Sequence, residues 1–542
     1  MRRPVVLVLL GVAVLLATVI AASAATVPMK LDPTFGNNGR SVVDVAGGAY
    51  EDEPFTLIEQ PDGKYVVPGK AHNSANGDFD FIVIRYNHDG SLDTSFGGDG
   101  KVLIDIMGGY DEALGIALQS DGKLVTAGWG KNPANNNLED LAVVRLNTNG
   151  SLDTSFGVGG RAIVDFAGGN DRAYGVVVLP DGDIVAGGFS TNAAGNNDFA
   201  LARFNPDGSL EPTFVGGGKA QTDLFGSTDA ITRMILQTDG KIVGAGVTHN
   251  TDTNSLDFAF ARYNQDGTLD TSFSVAGQSG VGNLDFFGTT DFALTVLEQP
   301  DSKILVGGLS LSSITNHYDF ALARLMPDGT LDPTFATYGR AGMVTTDFFG
   351  NYDQILSLAI QPDNKIIAAG HAKHPQRSFE FAMARYNPNG TLDNTFGVGG
   401  RLTTDFFGGP DGSHGMVLDP DGKAVLAGDA ENPATGGDDF VLARYLVADP
   451  SFMAGVALKL PVTAYGAGNS RASVLFSIYY AAYDISQGNL PAAIDKLKTM
   501  RNHLLGCGGS PAAGDWIVDC AAQIQMRSLT EQVIVKLGGT LP

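Results

Sequence analysis

Pairs of aspartates recur along the chain six positions apart, as in Asp105 and Asp111. The first repeat unit instead has Asp44 and Asp52, eight positions apart. Carboxylate oxygens are the ligands that calcium and other hard cations prefer. If the repeat units close into a ring, the second acid of each pair lies near one mouth of its central channel. These acids are therefore a candidate site for a divalent cation such as calcium, formed by Asp52, Asp111, Asp171, Asp229, Asp291, Asp353 and Asp411. The alternative, which the Gly-rich links favour, is that each aspartate caps its own turn by accepting backbone N–H groups.

Histidines are the second group of residues that could do chemistry. Five of the eight lie in loops whose sequences differ between repeats: His72, His249, His317, His371 and His374. Imidazole binds metals and exchanges protons near neutral pH. Because binding residues concentrate on loops held by a rigid scaffold, these five are candidate binding residues. The alternative is that they only fill solvent-exposed turns.

No sharper catalytic motif accompanies these residues. The sequence contains no His-Glu-x-x-His, no Gly-x-Ser-x-Gly and no P-loop. Its Gly-x-Gly-Gly pieces at 157–160 and 397–400 lead into strands rather than helices, which indicates turns and not phosphate-binding loops. The sequence therefore predicts no particular reaction, and no residue is assigned as catalytic.

A repeated phrase positions these acids and histidines. The phrase Leu-Asp/Glu-x-Thr/Ser-Phe places Phe at 35, 96, 156, 214, 273, 335 and 396, with spacings of 58 to 62 residues. Repeats of this length are stacked supersecondary units. In the second unit, short runs at 101–106, 113–118, 123–128 and 141–146 predict four strands separated by Gly/Asp/Asn turns. Four strands per unit predict one blade of a β-propeller.

The two ends of the repeat region predict how the ring closes. A strand near 41–45 precedes the first complete unit, whereas the last unit supplies only three strands, near 414–419, 423–428 and 440–445. We expect the N-terminal strand to complete the last blade, because closure removes exposed sheet edges. The predicted fold is an all-β, seven-bladed β-propeller over 25–452, with repeats starting near 31, 92, 152, 210, 269, 331 and 392.

Several phrases resemble a known bacterial family. Asp153-Thr-Ser-Phe-Gly157, Asp-Phe-Ala-Leu-Ala-Arg at 198–203 and 319–324, and Pro-Asp-Gly-Lys at 420–423 are similar to the delta-60 repeat. The resemblance covers about residues 31–452. It implies a β-propeller fold and export from the cell, and it implies no activity and no catalytic residue.

An arginine follows the acid that begins the fourth strand of every repeat by five positions, as in Asp80 and Arg85. An odd separation in a strand places the two side chains on opposite faces, so they do not pair with each other. We predict that each arginine instead bonds a carboxylate or carbonyl of the Leu-Asp phrase. Because a single binding site does not need seven copies, the set is interpreted as structural. The arginines are Arg85, Arg145, Arg203, Arg262, Arg324, Arg385 and Arg444.

Charge and the N-terminal segment restrict the partners and the location. The chain has a formal net charge of −24, and residues 25–452 carry 26 basic and 54 acidic side chains. Such a surface repels phosphate backbones, so nucleic acid is not an expected partner. Arg2-Arg3, an apolar run and Ala22-Ser23-Ala24 predict a signal peptide over 1–24. The mature chain is then secreted, periplasmic or on the cell surface, with no membrane span, and the alternative is an uncleaved anchor.

The pattern changes from strands to helices after about residue 452. We predict a linker over 453–468 and a helical domain over 469–542, with helices starting near Ser470, Pro491 and Asp515. The only two cysteines, Cys507 and Cys520, lie in this region. In an exported chain this pair predicts one disulfide.

Two functions of different class are compatible with the sequence. The first is a non-catalytic binding or adhesion scaffold that uses the loop face and the channel mouth to hold a glycan, a peptide or a cell-envelope protein. The second is an extracellular propeller enzyme, a polysaccharide lyase or a hydrolase, with a His/Asp site at the channel mouth and a possible cation requirement. Because propellers host many functions, the first hypothesis is the more economical.

Overall fold

Short apolar runs and Gly-rich turns build seven antiparallel sheets arranged as a ring. The computed structural model describes residues 30–133, 136–275, 278–336, 340–461, 464–465, 470–486, 489–504, 516–517 and 519–537. Each sheet is one blade of the predicted seven-bladed β-propeller, so the predicted fold is confirmed. The segment 1–24, for which we predicted a signal peptide, lies outside the described residues.

The first three blades follow two short N-terminal strands, β1 (Lys30–Leu31) and β2 (Arg40–Val43). Blade 1 contains β3 (Glu53–Pro54), β4 (Ile58–Glu59), β5 (Tyr65–Asn73), β6 (Asp78–Tyr86) and β7 (Lys101–Ile104). Blade 2 contains β8 (Asp111–Leu118), β9 (Leu124–Asn132), β10 (Leu138–Leu146) and β11 (Arg161–Val164). Blade 3 contains β12 (Asp171–Val178), β13 (Ile184–Thr191), β14 (Asn197–Phe204) and, after a short helical turn at Val215–Gly218, β15 (Lys219–Thr222).

Blades 4 to 7 repeat this plan. Blade 4 contains β16 (Asp229–Leu236), β17 (Ile242–Asn250), β18 (Ser255–Tyr263) and β21 (Val281–Leu284), with a small hairpin of β19 (Ser274–Val275) and β20 (Gln278–Ser279) before its last strand. Blade 5 contains β22 (Asp291–Glu298), β23 (Ile304–Leu311), β24 (Tyr318–Leu325) and β25 (Met343–Thr346). Blade 6 contains β26 (Asp353–Ile360), β27 (Ile366–Lys373), β28 (Phe379–Tyr386) and β29 (Arg401–Thr404). Blade 7 contains β30 (Asp411–Leu418), β31 (Lys423–Asn432) and β32 (Gly437–Leu446).

The N-terminal strands complete blade 7. Strand β2 pairs with β32 from Arg40 opposite Ala443 to Val43 opposite Phe440, and β1 pairs with the end of the same strand. The predicted closure is therefore confirmed, and β32 has no open edge. Every other blade takes its outermost strand from the repeat that follows, so each repeat holds part of two blades.

A buried ion pair recurs within the blades, and its arginine also donates to a carbonyl of the next blade, as Arg85 Nη1 does to Thr148 O at 2.6 Å. Arg85 Nε lies 2.7 Å from Asp93 Oδ2, and the guanidinium lies over the ring of Phe96. The same Arg–Asp pair occurs at six joints with Nε–Oδ2 distances of 2.7–2.9 Å, as predicted: Arg85–Asp93, Arg145–Asp153, Arg262–Asp270, Arg324–Asp332, Arg385–Asp393 and Arg444–Asp32. The seven phrase phenylalanines are 0–2% exposed.

The prediction is wrong for Arg203. Its repeat has Glu211 where the other phrases have Asp, and that carboxylate bonds Thr213 instead. Arg203 pairs with Asp183 and Asp181 of the preceding turn, each at 2.8 Å. Asp183 replaces the lysine that follows this turn in the other six repeats. In this repeat the carboxylate that pairs with the arginine therefore comes from the turn before its strand and not from the phrase after it.

In the described part of the C-terminal region four helices follow the ring: α1 (Pro450–Lys459), α2 (Ser470–Ser486), α3 (Leu490–Asn502) and α4 (Cys520–Lys536). Helix α1 includes residues 453–459, the first part of the segment 453–468 for which we predicted a linker. It forms there because Asp449 caps its first turn through the Phe452 N–H and because Met453 is buried in the helical core. Cys507 lies outside the described residues, so the pairing with Cys520 stays a prediction.

The helices pack on the turns of blade 7. Gln525 Nε2 donates to Pro420 O at 2.6 Å, and Lys536 Nζ donates to Ala448 O at 2.7 Å. None of the helices within the described ranges has the length and apolar character to cross a membrane.

Candidate binding site at the channel mouth

One face of the ring carries the loops that differ between repeats. These loops join the second and third strands of each sheet, and the links that enter the next blade lie beside them. Backbone bonds connect the two sets, such as Lys131 N to Tyr110 O at 3.0 Å and Lys373 N to Tyr352 O at 2.8 Å. We call this the mouth face, and it holds all five predicted histidines.

The seven predicted metal-site aspartates are buried at the start of the innermost strands. They are 0–1% exposed, so they do not form an open ring of carboxylates at the mouth. Asp111 Oδ2 accepts the Ile106 N–H at 2.7 Å, and the same bond recurs at 2.7–2.8 Å in the five later blades. Asp52 Oδ2 accepts two N–H groups, from Val45 and Ala46. These contacts are those of the turn-capping alternative.

Five of the buried aspartates each have two acidic neighbours, one on the third strand of the preceding blade and one in the link between the two blades. At these five joints the three carboxylates offer oxygens that all lie within 4.8 Å of one another: Asp80, Asp105 and Asp111; Asp140, Asp165 and Asp171; Asp198, Asp223 and Asp229; Asp257, Asp285 and Asp291; and Asp319, Asp347 and Asp353. Burial first, and then this repulsion, raises the pKa of Asp111 to about 8 and that of Asp229 to about 6. At neutral pH such acids are partly protonated.

The predicted calcium site therefore involves three acids at a joint between two blades and not seven acids of the ring. It stays a prediction. A melting scan with and without calcium at pH 9, where these carboxylates are ionised, tests it. An unchanged melting temperature would contradict it.

Four of the predicted histidines lie on four different blades and do not contact one another. His72 stacks on Tyr50 with ring centroids 3.6 Å apart, and His249 bonds Ser227 Oγ through Nδ1 at 3.0 Å. His374 lies edge-on to Phe349, and His317 is exposed. These four contact neighbours in the same blade or in the link that enters it.

His371 is brought together with a histidine that the sequence reasoning missed. Its ring lies 6.5 Å from that of His414 on the innermost strand of blade 7. His414 Nε2 lies 2.5 Å from Asp429 Oδ1. Burial lowers the pKa of His371 to about 3, whereas the bond to Asp429 overrides burial and raises the pKa of His414. A neutral imidazole thus lies beside one that readily holds a proton.

A second cluster lies across blades 1 and 2. Lys70 Nζ lies 3.2 Å from Glu53 Oε2, 3.6 Å from Glu112 Oε1 and 3.1 Å from the Tyr110 hydroxyl. Tyr110 in turn donates to Glu112 Oε1 at 2.7 Å, and its ring stacks on Trp129 at 5.4 Å. The cluster presents a part-exposed aromatic ring whose polar edge is fixed by three charges.

Blade 3 extends this cluster. Arg172 donates from Nε and Nη2 to the two carboxylate oxygens of Glu139 at 2.6 and 2.7 Å. Its guanidinium lies over the Trp129 ring, 4.1 Å from the centroid. A bidentate pair on an aromatic face is rigid, because both groups are fixed in orientation.

Arg233 crosses the central channel from the innermost strand of blade 4. Its Nη1 donates to Leu114 O and Tyr174 O, both at 3.1 Å, and its Nη2 donates to Phe55 O at 2.7 Å. One side chain thus reaches blades 1, 2 and 3. The other six blades have Gly, Ser or Thr at the equivalent position: Thr56, Gly115, Gly175, Thr295, Ser357 and Gly415.

Charged side chains are distributed unevenly around the mouth face. After the buried aspartate, blades 1 to 3 carry Glu53, Glu112 and Arg172, whereas blades 4 and 5 carry Ala230 and Phe292. Sequence reasoning missed Arg172, Arg233, His414, Tyr110 and Trp129 because it treated the innermost strands as uniform. Comparison of the seven units position by position identifies Arg233 as the one charged residue in a column of Gly, Ser and Thr, whereas the other columns vary from blade to blade.

Four phenylalanines line the rest of the rim. Each stands two positions after the aspartate that ends an outermost strand, and Phe225 and Phe287 are 38% and 40% exposed. Phe349 and Phe407 are partly exposed. The mouth face thus combines charged groups over the first blades with aromatic rings around the remaining links.

Comparisons with known proteins agree with the fold. Six stretches match the model of a family described as a domain of unknown function (DUF5122), beta-propeller, at residues 60–96, 119–156, 179–214, 237–273, 299–335 and 361–396. The narrower delta-60 name stays a prediction. No curated protein matches the sequence.

Solved structures of several activities share a distant likeness. A protein of unknown function from Dyadobacter fermentans is 11% identical, over 75% of this chain and 99% of that chain, with a TM-score of 0.39. A PL25 ulvan lyase is 11% identical over 74% and 95%, with a TM-score of 0.39. A putative glucose dehydrogenase from Thermus thermophilus is 14% identical over 61% and 96%, with a TM-score of 0.35. This likeness says nothing about activity, and the blades and the six family matches together make this chain a β-propeller repeat protein.

Proposed function

We propose that this protein is an exported glycan-binding protein whose ligand lies across the mouth face. The observation that carries the proposal is the set of part-exposed aromatic rings held beside fixed charged groups at the channel mouth. Tyr110, which stacks on the buried Trp129, and Tyr352, which packs with His371 and Phe379, are such groups on different blades.

Sugar chemistry suits this surface. A pyranose has an apolar C–H face, which packs on the electron-rich face of an aromatic ring, and hydroxyl edges that need donors and acceptors. The ion pairs around Lys70 and Arg172 supply both kinds of group in fixed positions. The net charge of −24 does not repel a neutral polymer.

Titration calorimetry with a panel of neutral oligosaccharides tests the proposal. Tyr110→Ala should weaken binding of the best ligand about tenfold, since an aromatic contact contributes about 0.5–1.5 kcal/mol. Tyr110→Phe keeps the ring and should retain most of the affinity. Val398→Ala, at a residue 83% exposed on the opposite face, is the control. The proposal fails if no oligosaccharide binds, or if the Tyr110 and Val398 alanine variants bind alike.

The pair of His414 and Asp429 favours a second candidate, an extracellular lyase or hydrolase. A protonated histidine held by a carboxylate at the channel is the arrangement of a general acid. Glycan cleavage by either route creates new chain ends, which size-exclusion chromatography detects. His414→Ala should abolish cleavage and retain binding, whereas intact glycans after prolonged incubation with the wild-type protein would contradict this candidate.

A further inference from the structure

Arg233 differs from the other channel-lining residues because its charge has no counter-ion. The seven joint arginines each have a carboxylate within 2.9 Å. Arg233 forms no ion pair with any residue of the described ranges and meets three backbone carbonyls instead. Burial lowers its pKa to about 10, so the guanidinium is still charged at neutral pH. A desolvated charge without a partner is costly, and proteins ordinarily compensate it.

Two N–H groups of the Arg233 guanidinium are not used by these three bonds. An arginine offers five N–H groups, and the bonds to Leu114, Tyr174 and Phe55 use three of them. Within the described part of the chain, Nε–H and one Nη2 N–H have no protein acceptor. Nε and Nη2 form one of the edges with which a guanidinium binds a carboxylate through two parallel bonds.

The backbone is shaped to hold this side chain in the channel. Strand pairing shifts register at Leu114 and at Tyr174, and such bulges free a carbonyl from the ladder. Both freed carbonyls accept from Nη1 of Arg233. The bonds orient the guanidinium, and the residues that line the equivalent position in the other blades are small enough to leave room beside it.

We propose that Arg233 binds a single carboxylate carried by an otherwise neutral glycan on the mouth face. This inference rests on the proposed glycan-binding function. His414 lies one position earlier on the innermost strand of its blade, and its ion pair with Asp429 neutralises that carboxylate, so the pair does not repel an anion at the same level. The net charge of −24 repels a polyanion over a distance, which restricts the ligand to one acidic sugar.

Methyl β-glucuronide and methyl β-glucoside test the inference, because they differ only in the carboxylate. In protein with ¹⁵N-labelled arginine, the Arg233 Nε–H signal is assigned by its loss in Arg233→Gln. The glucuronide should shift this signal and bind at least tenfold more tightly than the glucoside. Arg233→Gln should remove the preference, whereas Arg340→Gln, at an exposed arginine that also donates to a carbonyl, should keep it.

The outcomes separate this inference from the proposed function. A signal shifted by glucuronide in a protein that binds no glucoside or neutral oligosaccharide supports the anion subsite and contradicts neutral glycan binding. Equal affinities for the two sugars, with the Arg233 signal unmoved, overturn the inference even if glycans bind. Acetate or phosphate binding as tightly as glucuronide also overturns it, because the site would then hold a free anion.

Discussion

Arg444 Nε lies 2.9 Å from Asp32 Oδ2, although 412 residues separate them in the sequence. Arg444 belongs to the last strand of the ring, and Asp32 precedes the strand that closes it. The same guanidinium lies over the ring of Phe35 and donates to His88 O. One side chain therefore joins the N-terminal segment, blade 7 and blade 1.

Removing the acid of this closing pair should open the ring. Asp32→Ala leaves Arg444 buried without its carboxylate, and breaking a buried pair in this way costs about 3–5 kcal/mol. Urea unfolding measures the loss. Asp332→Ala removes the equivalent acid from an internal joint and should cost a similar amount, but only Asp32→Ala should make the N-terminal strands sensitive to protease. Equal protection of those strands in both variants would show that the pair does not control closure.

Because Arg203 pairs with Asp183 and not with the acid of its phrase, we expect two substitutions at these positions to compensate each other. Asp183→Lys alone leaves Arg203 facing a second cation and should lower stability by about 2–3 kcal/mol. Adding Glu211→Asp restores the acid that the other six repeats have, so the double variant should recover most of the loss. A double-mutant cycle by chemical denaturation measures the coupling. Additive effects would mean that Glu211 cannot replace the lost partner.

The buried aspartates make stability depend on pH. Burial raises the pKa of Asp111 to about 8 in the folded state, above its unfolded value of 3.8. The folded state then holds more protons than the unfolded state between these values, so the stability that protonated Asp111 contributes is fully present below pH 4 and is lost as pH rises to about 8. Asp171, Asp291 and Asp353 act in the same direction.

Asp111→Asn isolates one of these groups. Asparagine can still accept the Ile106 N–H, and it has no carboxylate to ionise. We expect this variant to be more stable than the wild type at pH 9 by about 1 kcal/mol or more, the equivalent of one pKa unit, and to show less difference at pH 4. Melting curves at both pH values measure this, and an equal difference at both would contradict the raised pKa.

Adding one methyl group at Gly422 should release the C-terminal helices from blade 7. A Cβ at Gly422 would lie 2.6 Å from Leu529 and 2.7 Å from Phe452, which both belong to the helical core. Gly182 lies at the same turn position in another blade, with a comparable positive φ, and a Cβ there would meet nothing closer than 3.8 Å. Gly182→Ala should therefore cost about 1–3 kcal/mol of backbone strain only. Gly422→Ala should cost more and expose the helices to limited proteolysis, and equal behaviour of the two variants would contradict docking at this turn.

The sequence predicted those features that recur in every repeat. Blade number, strand order, ring closure and six of the seven arginine pairs follow from the spacing of one phrase, because a repeated unit must make the same contacts seven times. The partner of Arg203 was not predicted, because it comes from the turn 20 residues earlier and not from the phrase that follows. Helix α1 was not predicted within the segment 453–468, because the burial of Met453 depends on helices later in the chain.

The contacts between side chains of the mouth face could not be predicted from the sequence. Which side chains meet there depends on the closed ring, in which Arg233 contacts residues 119 and 178 positions away. The aspartate ring likewise looked like a shared site until the structure placed each carboxylate under its own link. Local periodicity thus determined the fold, since backbone hydrogen bonding and apolar burial repeat with the sequence. Only the tertiary structure decided the site, because ring closure brings residues of different blades within bonding distance.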